Sequence, residues 1–125
     1  MSPCRVLICE DEAGYRALLR TVLAAEDGVE VVAESRDGTD CVAKAAESGA
    51  DVVLLDLNMP RMNGYEAIPR IREAAPDARI VVLSSAPAAE NARRVVDLGA
   101  AGYVQKPRNI FRLLPTIRSV LADTA

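Results

Sequence analysis

Six side chains in this sequence could do chemistry together. Glu10 and Asp11 follow the apolar run 6–9, and Asp56 follows the run 52–55. Ser84 and Ser85 follow the run 80–83, and Lys106 stands just after a fourth short run, directly before Pro107. Two carboxylates about 4 Å apart repel by roughly 4 kcal/mol at an effective dielectric of about 20, so such a cluster protonates or recruits a cation. Oxygen donors without nitrogen or sulfur suit Mg²⁺, which keeps several waters and shares its sites with phosphate oxygens. A carboxylate can itself be a nucleophile and form an acyl phosphate. A lysine opposite would supply positive charge to the phosphoryl group, and a serine hydroxyl would hydrogen-bond it. The chemistry these types suggest is phosphoryl transfer to an aspartate.

The elements that must position these residues can be read from periodicity. Runs rich in β-branched residues at 5–9, 29–33, 52–55, 80–83 and 102–104 predict strands. Several are apolar at every position, as parallel strands covered on both faces are. Helix-period stripes lie between them: Tyr15, Leu18, Leu19 and Val22; Ala88, Ala92, Val95 and Val96; and Ile110, Leu113, Leu114, Ile117 and Leu121. Gly28, Gly49 and Gly99 fall where helix C-caps are expected, and Pro87 and Pro69 are placed in first turns. Pro115 is expected to kink the last helix. The alternation predicts an α/β domain over residues 1–125: (βα)5, doubly wound by right-handed crossovers into a five-stranded parallel sheet with helices on both faces. In such sheets ligands bind beyond the carboxyl ends of the strands, which is where Glu10, Asp11, Asp56, Ser84 and Lys106 all fall.

Composition narrows the alternatives. The chain has 125 residues, 26% of them charged, and no histidine, which removes Ser-His and Cys-His catalysis and the usual zinc sites. No apolar run exceeds four residues, which excludes a membrane span and points to a cytoplasmic protein. Cys4, Cys9 and Cys41 are odd in number and lack C-x-x-C spacing, so they read as reduced, mostly buried thiols. Residues 1–60 carry five basic and twelve acidic side chains, a net of −7, and residues 61–125 carry ten and six, a net of +4. Only two lysines, Lys44 and Lys106, stand against thirteen arginines. Lys44, between Asp40 and Glu47, reads as ordinary surface. Taken singly, Asp11 reads as a helix N-cap, Tyr103 as half-buried packing and Lys106 as surface; the convergence is what argues otherwise.

The stretches Val6-Leu7-Ile8-Cys9-Glu10-Asp11, Leu54-Leu55-Asp56-Leu57-Asn58-Met59-Pro60, Val82-Leu83-Ser84 and Tyr103-Val104-Gln105-Lys106-Pro107 together resemble the receiver domain of bacterial two-component response regulators. Asp11 precedes Asp56 by 45 residues and Ser84 precedes Lys106 by 22, as in that family. The resemblance implies a flavodoxin-like sheet of strand order 2-1-3-4-5. It makes Asp56 the phosphoacceptor, supplied by a sensor histidine kinase or a histidine phosphotransfer protein. It assigns Mg²⁺ to Glu10, Asp11, Asp56 and the backbone carbonyl of Asn58, and phosphoryl contacts to Lys106 and Ser84. Ser84 and Tyr103 become the switch residues, and Lys106-Pro107 a cis peptide. A downstream protein or effector domain would read the switch, with no membrane or direct nucleic-acid contact, and a homodimer is compatible with the fold. Beyond its own aspartyl phosphorylation and dephosphorylation, no enzyme activity is implied.

The sequence departs from the family pattern at Glu10, a longer arm than the usual aspartate, and at Asn63, Arg108 and Pro115. Three alternatives stand beside the phosphorylation switch: a phosphorylation-independent interaction module, the N-terminal receiver of a longer DNA-binding regulator, and a phosphatase using Asp56. Asn58 weakens the last, because it offers no acid two positions after the nucleophile.

Overall fold

A computed structural model describes residues 3–107 and 109–124, the side chains of 120–124 excepted. The chain alternates β1 (Cys4–Cys9), α1 (Ala13–Ala24), β2 (Val29–Ser35), α2 (Gly38–Ser48), β3 (Val52–Leu55), α3 (Gly64–Ala74), β4 (Arg79–Ser84), α4 (Ala88–Leu98), β5 (Gly102–Gln105) and α5 (Leu113–Thr124), with a 3₁₀ turn at Ile110–Arg112 before α5. The five strands form one parallel sheet in the order β2-β1-β3-β4-β5. Strand order and composition are as anticipated, with each predicted strand extended by no more than two residues.

The uniformly apolar strands are the central ones. All four residues of β3 and the last four of β1 are buried, because helices cover both sheet faces. One apolar cluster joins Leu7, Cys9, Val53 and Leu55 to Cys41, Ile68 and Ile71 of α2 and α3. The other joins Val6, Ile8, Leu54 and Val81 to Leu19 and Leu23 of α1 and Leu113 and Ile117 of α5. Truncating one such buried leucine or isoleucine to alanine costs about 2–5 kcal/mol. None of the helices among the described residues is long and apolar enough to cross a membrane.

Several sequence expectations change here. Cys9 and Cys41 form a disulfide between the end of β1 and α2, leaving Cys4 the free cysteine. Their Cα atoms, 32 residues apart in sequence, lie 6.0 Å apart, within bonding range only through the fold. Leu18 is half exposed and Leu23 buried in its place on α1, and Val96 is likewise half exposed on α4. Gly49 and Gly99 cap α2 and α4 with positive φ, but α1 ends at Ala25 and Gly28 lies in the turn beyond it. Pro69 is the sixth residue of α3, past the first turn, where it removes one helical hydrogen bond on an exposed face. Pro115 occupies the third position of α5, in its first turn and directly after the 3₁₀ turn, rather than the helix interior. Pro87 is the N-cap of α4. The Lys106–Pro107 peptide is trans, the isomer X–Pro bonds favour by about 0.5–1 kcal/mol, and in it the Lys106 ammonium already reaches Glu10. Arg108 and the side chain of Leu121 lie outside the described residues.

Candidate functional site: an acidic pocket at the strand ends

Strand pairing delivers the site residues to one rim. Cys9 is paired with Leu55, so the chain leaves both strands at the same level, and the Asp56 N–H donates to the Cys9 carbonyl at 2.9 Å. The Glu10 N–H donates to the Ser35 carbonyl at 2.9 Å, tying the start of the acid pair to β2. Across the sheet the Lys106 N–H donates to the Ser84 carbonyl at 2.7 Å. Three backbone bonds thus fix Glu10, Asp56, Ser84 and Lys106 before any side chain is considered.

The side chains converge as the sequence suggested. Carboxylate oxygens of Glu10, Asp11 and Asp56 lie within 4.8 Å of one another. Glu10 and Asp56 are buried and Asp11 is exposed. Asp11 is free for this role because Glu12 caps α1 instead, its carboxylate accepting from the N–H groups of Gly14 and Tyr15 at 3.0 and 2.8 Å. The Lys106 ammonium sits 2.5 Å from Glu10 Oε1 and 3.7 Å from Asp56 Oδ2. Glu10 Oε2 is buried with no hydrogen-bond partner. Burial, followed by hydrogen bonding with Asp56, pushes the Glu10 carboxyl up to about 8, with Lys106 pulling the other way.

These donors fit Mg²⁺. They are all oxygens, and one buried carboxylate oxygen still lacks a partner. Ligands trans to each other on an ion at about 2.1 Å lie roughly 4.2 Å apart, within an ångström of the 4.8 Å limit here. The loop after Asp56 is shaped for close approach. The Asn58 N–H reaches Asp56 Oδ1 at 3.3 Å, and the Gly64 N–H closes the loop on the Leu57 carbonyl at 2.8 Å. A Cβ on Gly64 would meet the Asp56 carbonyl oxygen at 2.7 Å.

Ser84 and Tyr103 meet at one residue, Ala86, rather than at the carboxylates. The Ala86 N–H donates to Ser84 Oγ at 3.2 Å, and the Tyr103 hydroxyl donates to the Ala86 carbonyl at 2.6 Å. Tyr103 is half buried against the α2/α3-side core.

Four contributors were not visible in the sequence. Arg16 donates to the Glu10 carbonyl at 2.8 Å. Arg61, at φ +66°, pairs with buried Asp37 at 2.8 Å and pins the β3–α3 loop to α2. The Asp37 carboxyl is held below its ordinary range, first by the Asp40 N–H and also by Arg61. Tyr15 lies with its ring 4.4 Å from the Lys106 ammonium. The Arg61–Asp37 and Tyr15–Lys106 contacts depend on distances between elements, which no local spacing encodes.

This sheet order with three carboxylates and a lysine at its strand ends defines an open α/β domain with an acidic rim, and comparison with known proteins narrows the class. The family model described as the response regulator receiver domain matches residues 6–118. The chain belongs to that family, the receiver domains of two-component response regulators. It is 42% identical over 108 residues to the Myxococcus xanthus protein-glutamate methylesterase/protein-glutamine glutaminase 5, covering 86% of this chain and 31% of that protein. It is 33% identical over 118 residues to the response regulator GacA of Pseudomonas aeruginosa, covering 94% of this chain and 55% of that one. Among solved structures, a two-component response regulator of the LuxR family from Aurantimonas sp. SI85-9A1 superposes with a TM-score of 0.88 at 30% identity, covering 98% of this chain and 87% of that one. The chain therefore spans about a third to a half of the length of the curated relatives it matches.

Proposed function

We propose that this chain is a phosphorylation-activated switch that accepts a phosphoryl group on Asp56 from a phosphohistidine of a sensor kinase or phosphotransfer protein. The observation that carries the reading is the Lys106 ammonium held between Glu10 and Asp56 on a rim of three carboxylates. Asp56 attacks phosphorus; the donor's P–N bond breaks as the Asp56 O–P bond forms, and the imidazole leaves with its electron pair. Mg²⁺, held by Glu10, Asp11, Asp56 and the Asn58 carbonyl, would neutralise charge on the transferring oxygens. Asp56 Oδ2 faces Lys106, so a phosphoryl group there lies within reach of the ammonium. No histidine lies within these 125 residues, so the phosphoryl group comes from outside this domain.

The acyl phosphate carries about −1.5 to −2 charges in place of the carboxylate's −1, a net gain of about −0.5 to −1. New bonds from Lys106 and Ser84, at roughly 1.5–3 kcal/mol each, would total about 3–6 kcal/mol. Moving a two-state equilibrium from 1:99 to 99:1 takes about 5.5 kcal/mol, so the pair is of the size the switch requires. An effector segment outside this sequence, as in the longer relatives, or a separate protein would read the outcome. Incubation with Mg²⁺ and acetyl phosphate followed by intact-mass measurement is expected to show one phosphate adduct on the wild type and none on Asp56→Asn. A wild type that forms no adduct at any Mg²⁺ concentration would end this reading.

A further inference from the structure

Tyr15 enters the sequence as one member of an apolar helix stripe, yet its placement serves the pocket. It is the third residue of α1, and its backbone N–H is fixed by the Glu12 cap. The ring packs on the α1/α5-side core with one face toward the Lys106 ammonium, 4.4 Å from the centroid. Among the described residues, two buried side-chain polar atoms lack a hydrogen-bond partner: Glu10 Oε2 and the Tyr15 hydroxyl. Both belong to residues that touch Lys106.

Lys106 therefore has three contacts, and they differ in durability. Glu10 and Asp56 are the groups assigned to the cation. Once a divalent ion occupies them, their attraction for the ammonium is offset by repulsion from the ion. The ring is neutral and is not consumed by the ion. Burial first, and then the Glu10 and Asp56 carboxylates, push the Tyr15 hydroxyl up to about 12, so the ring stays protonated and electron-rich in neutral solution.

We propose that Tyr15 is a positioning residue for the phosphoryl-binding lysine: its ring is the seat that keeps Lys106 over the pocket when a divalent cation takes Glu10 and Asp56. The proposal rests on the phosphorylation reading above. Lysine is a flexible four-carbon arm, and without a seat it would spend most of its time off the phosphoryl position. A part-buried cation–π contact corresponds to about a three- to tenfold gain in occupancy.

The chain's two lysines make the test direct, because Lys44 serves as an internal reference for the ε-methylene NMR resonances of Lys106. In the wild type, Lys106 should be shifted upfield by the ring current, and the shift should persist when Mg²⁺ is added. Tyr15→Phe should retain the shift, whereas Tyr15→Leu should bring Lys106 to the position of Lys44. With acetyl phosphate and saturating Mg²⁺, Tyr15→Leu should be phosphorylated about three- to tenfold more slowly and Tyr15→Phe within about twofold of wild type. Matched thermal midpoints would establish that all three proteins are folded. Coincident Lys106 and Lys44 resonances in the Mg²⁺-loaded wild type overturn the proposal. So does a Tyr15→Leu rate equal to wild type, or a Tyr15→Phe rate as low as that of Tyr15→Leu. A wild type that takes up no phosphate would fail the parent reading alone, since the NMR arm still reports the seat.

Discussion

Reducing the Cys9–Cys41 bond is expected to lower stability substantially. The bond closes a 32-residue separation. In the chain-entropy treatment, a loop of that length removes about 12 cal/mol/K from the unfolded ensemble, or roughly 3.7 kcal/mol at room temperature. That figure is an upper bound, because the reduced unfolded ensemble retains structure and gains less entropy than a free chain. With an unfolding entropy of about 2.1 cal/mol/K per residue, each 1 kcal/mol moves the midpoint of a 125-residue chain by about 4 °C, so the shift reaches about 14 °C. The assay is thermal unfolding with and without a phosphine reductant, beside Cys41→Ala, which should match the reduced protein to within its cavity cost. Thiol titration in denaturant should find one free thiol before reduction, Cys4, and three after it. Three thiols without reductant, or midpoints that agree to within a degree, would refute the reasoning.

Two further outcomes concern the pocket and its frame. The Glu10 carboxyl titrates near 8 in the folded protein against about 4.5 ordinarily. The fold therefore favours its protonated form, and the associated stability is present at acid pH and lost as pH rises through about 8. In chelator, the wild-type melting temperature should fall over that window and Glu10→Gln should flatten the fall; parallel profiles would rule out Glu10 as the titrating group. Gly38→Ala places a Cβ 2.0 Å from the Met62 carbonyl oxygen, a backbone clash expected to cost about 1–3 kcal/mol in denaturant unfolding. An unchanged midpoint would mean that the β3–α3 loop yields freely.

Legibility divided along a physical line. β1, β3 and β4 could be read because strands covered on both faces are apolar throughout, and Ser84 and Arg79 escaped because hydropathy marks coverage rather than hydrogen bonding. The helix stripes were right in period and imprecise in phase. Leu18 and Leu23 both lie near the apolar arc of α1, and of the two only Leu23 is buried in the core on that face of the sheet. Pro69 and Pro115 changed roles because a proline's effect depends on the helix start, which the sequence left open. Glu10, Asp11, Asp56, Ser84 and Lys106 were legible because strand ends place residues without any side-chain detail. The disulfide, the Arg61–Asp37 pair and the Tyr15 seat were not, since each is a meeting of side chains from elements far apart in sequence.

The two bonds to Ala86 carry a kinetic consequence. Pro87 caps α4 without a side-chain hydrogen bond, so the segment leading into it is gripped at one residue, Ala86, by Ser84 on the N–H of the 85–86 peptide and by Tyr103 on the carbonyl of the 86–87 peptide. If Ser84 turns away, the first peptide is released while Tyr103 still holds the second. If Tyr103 leaves first, the second is released while Ser84 still holds the first. The two peptides share the Ala86 Cα, so losing one anchor loosens the other, half-released states should be short-lived, and the segment should move as a click between two positions rather than a glide.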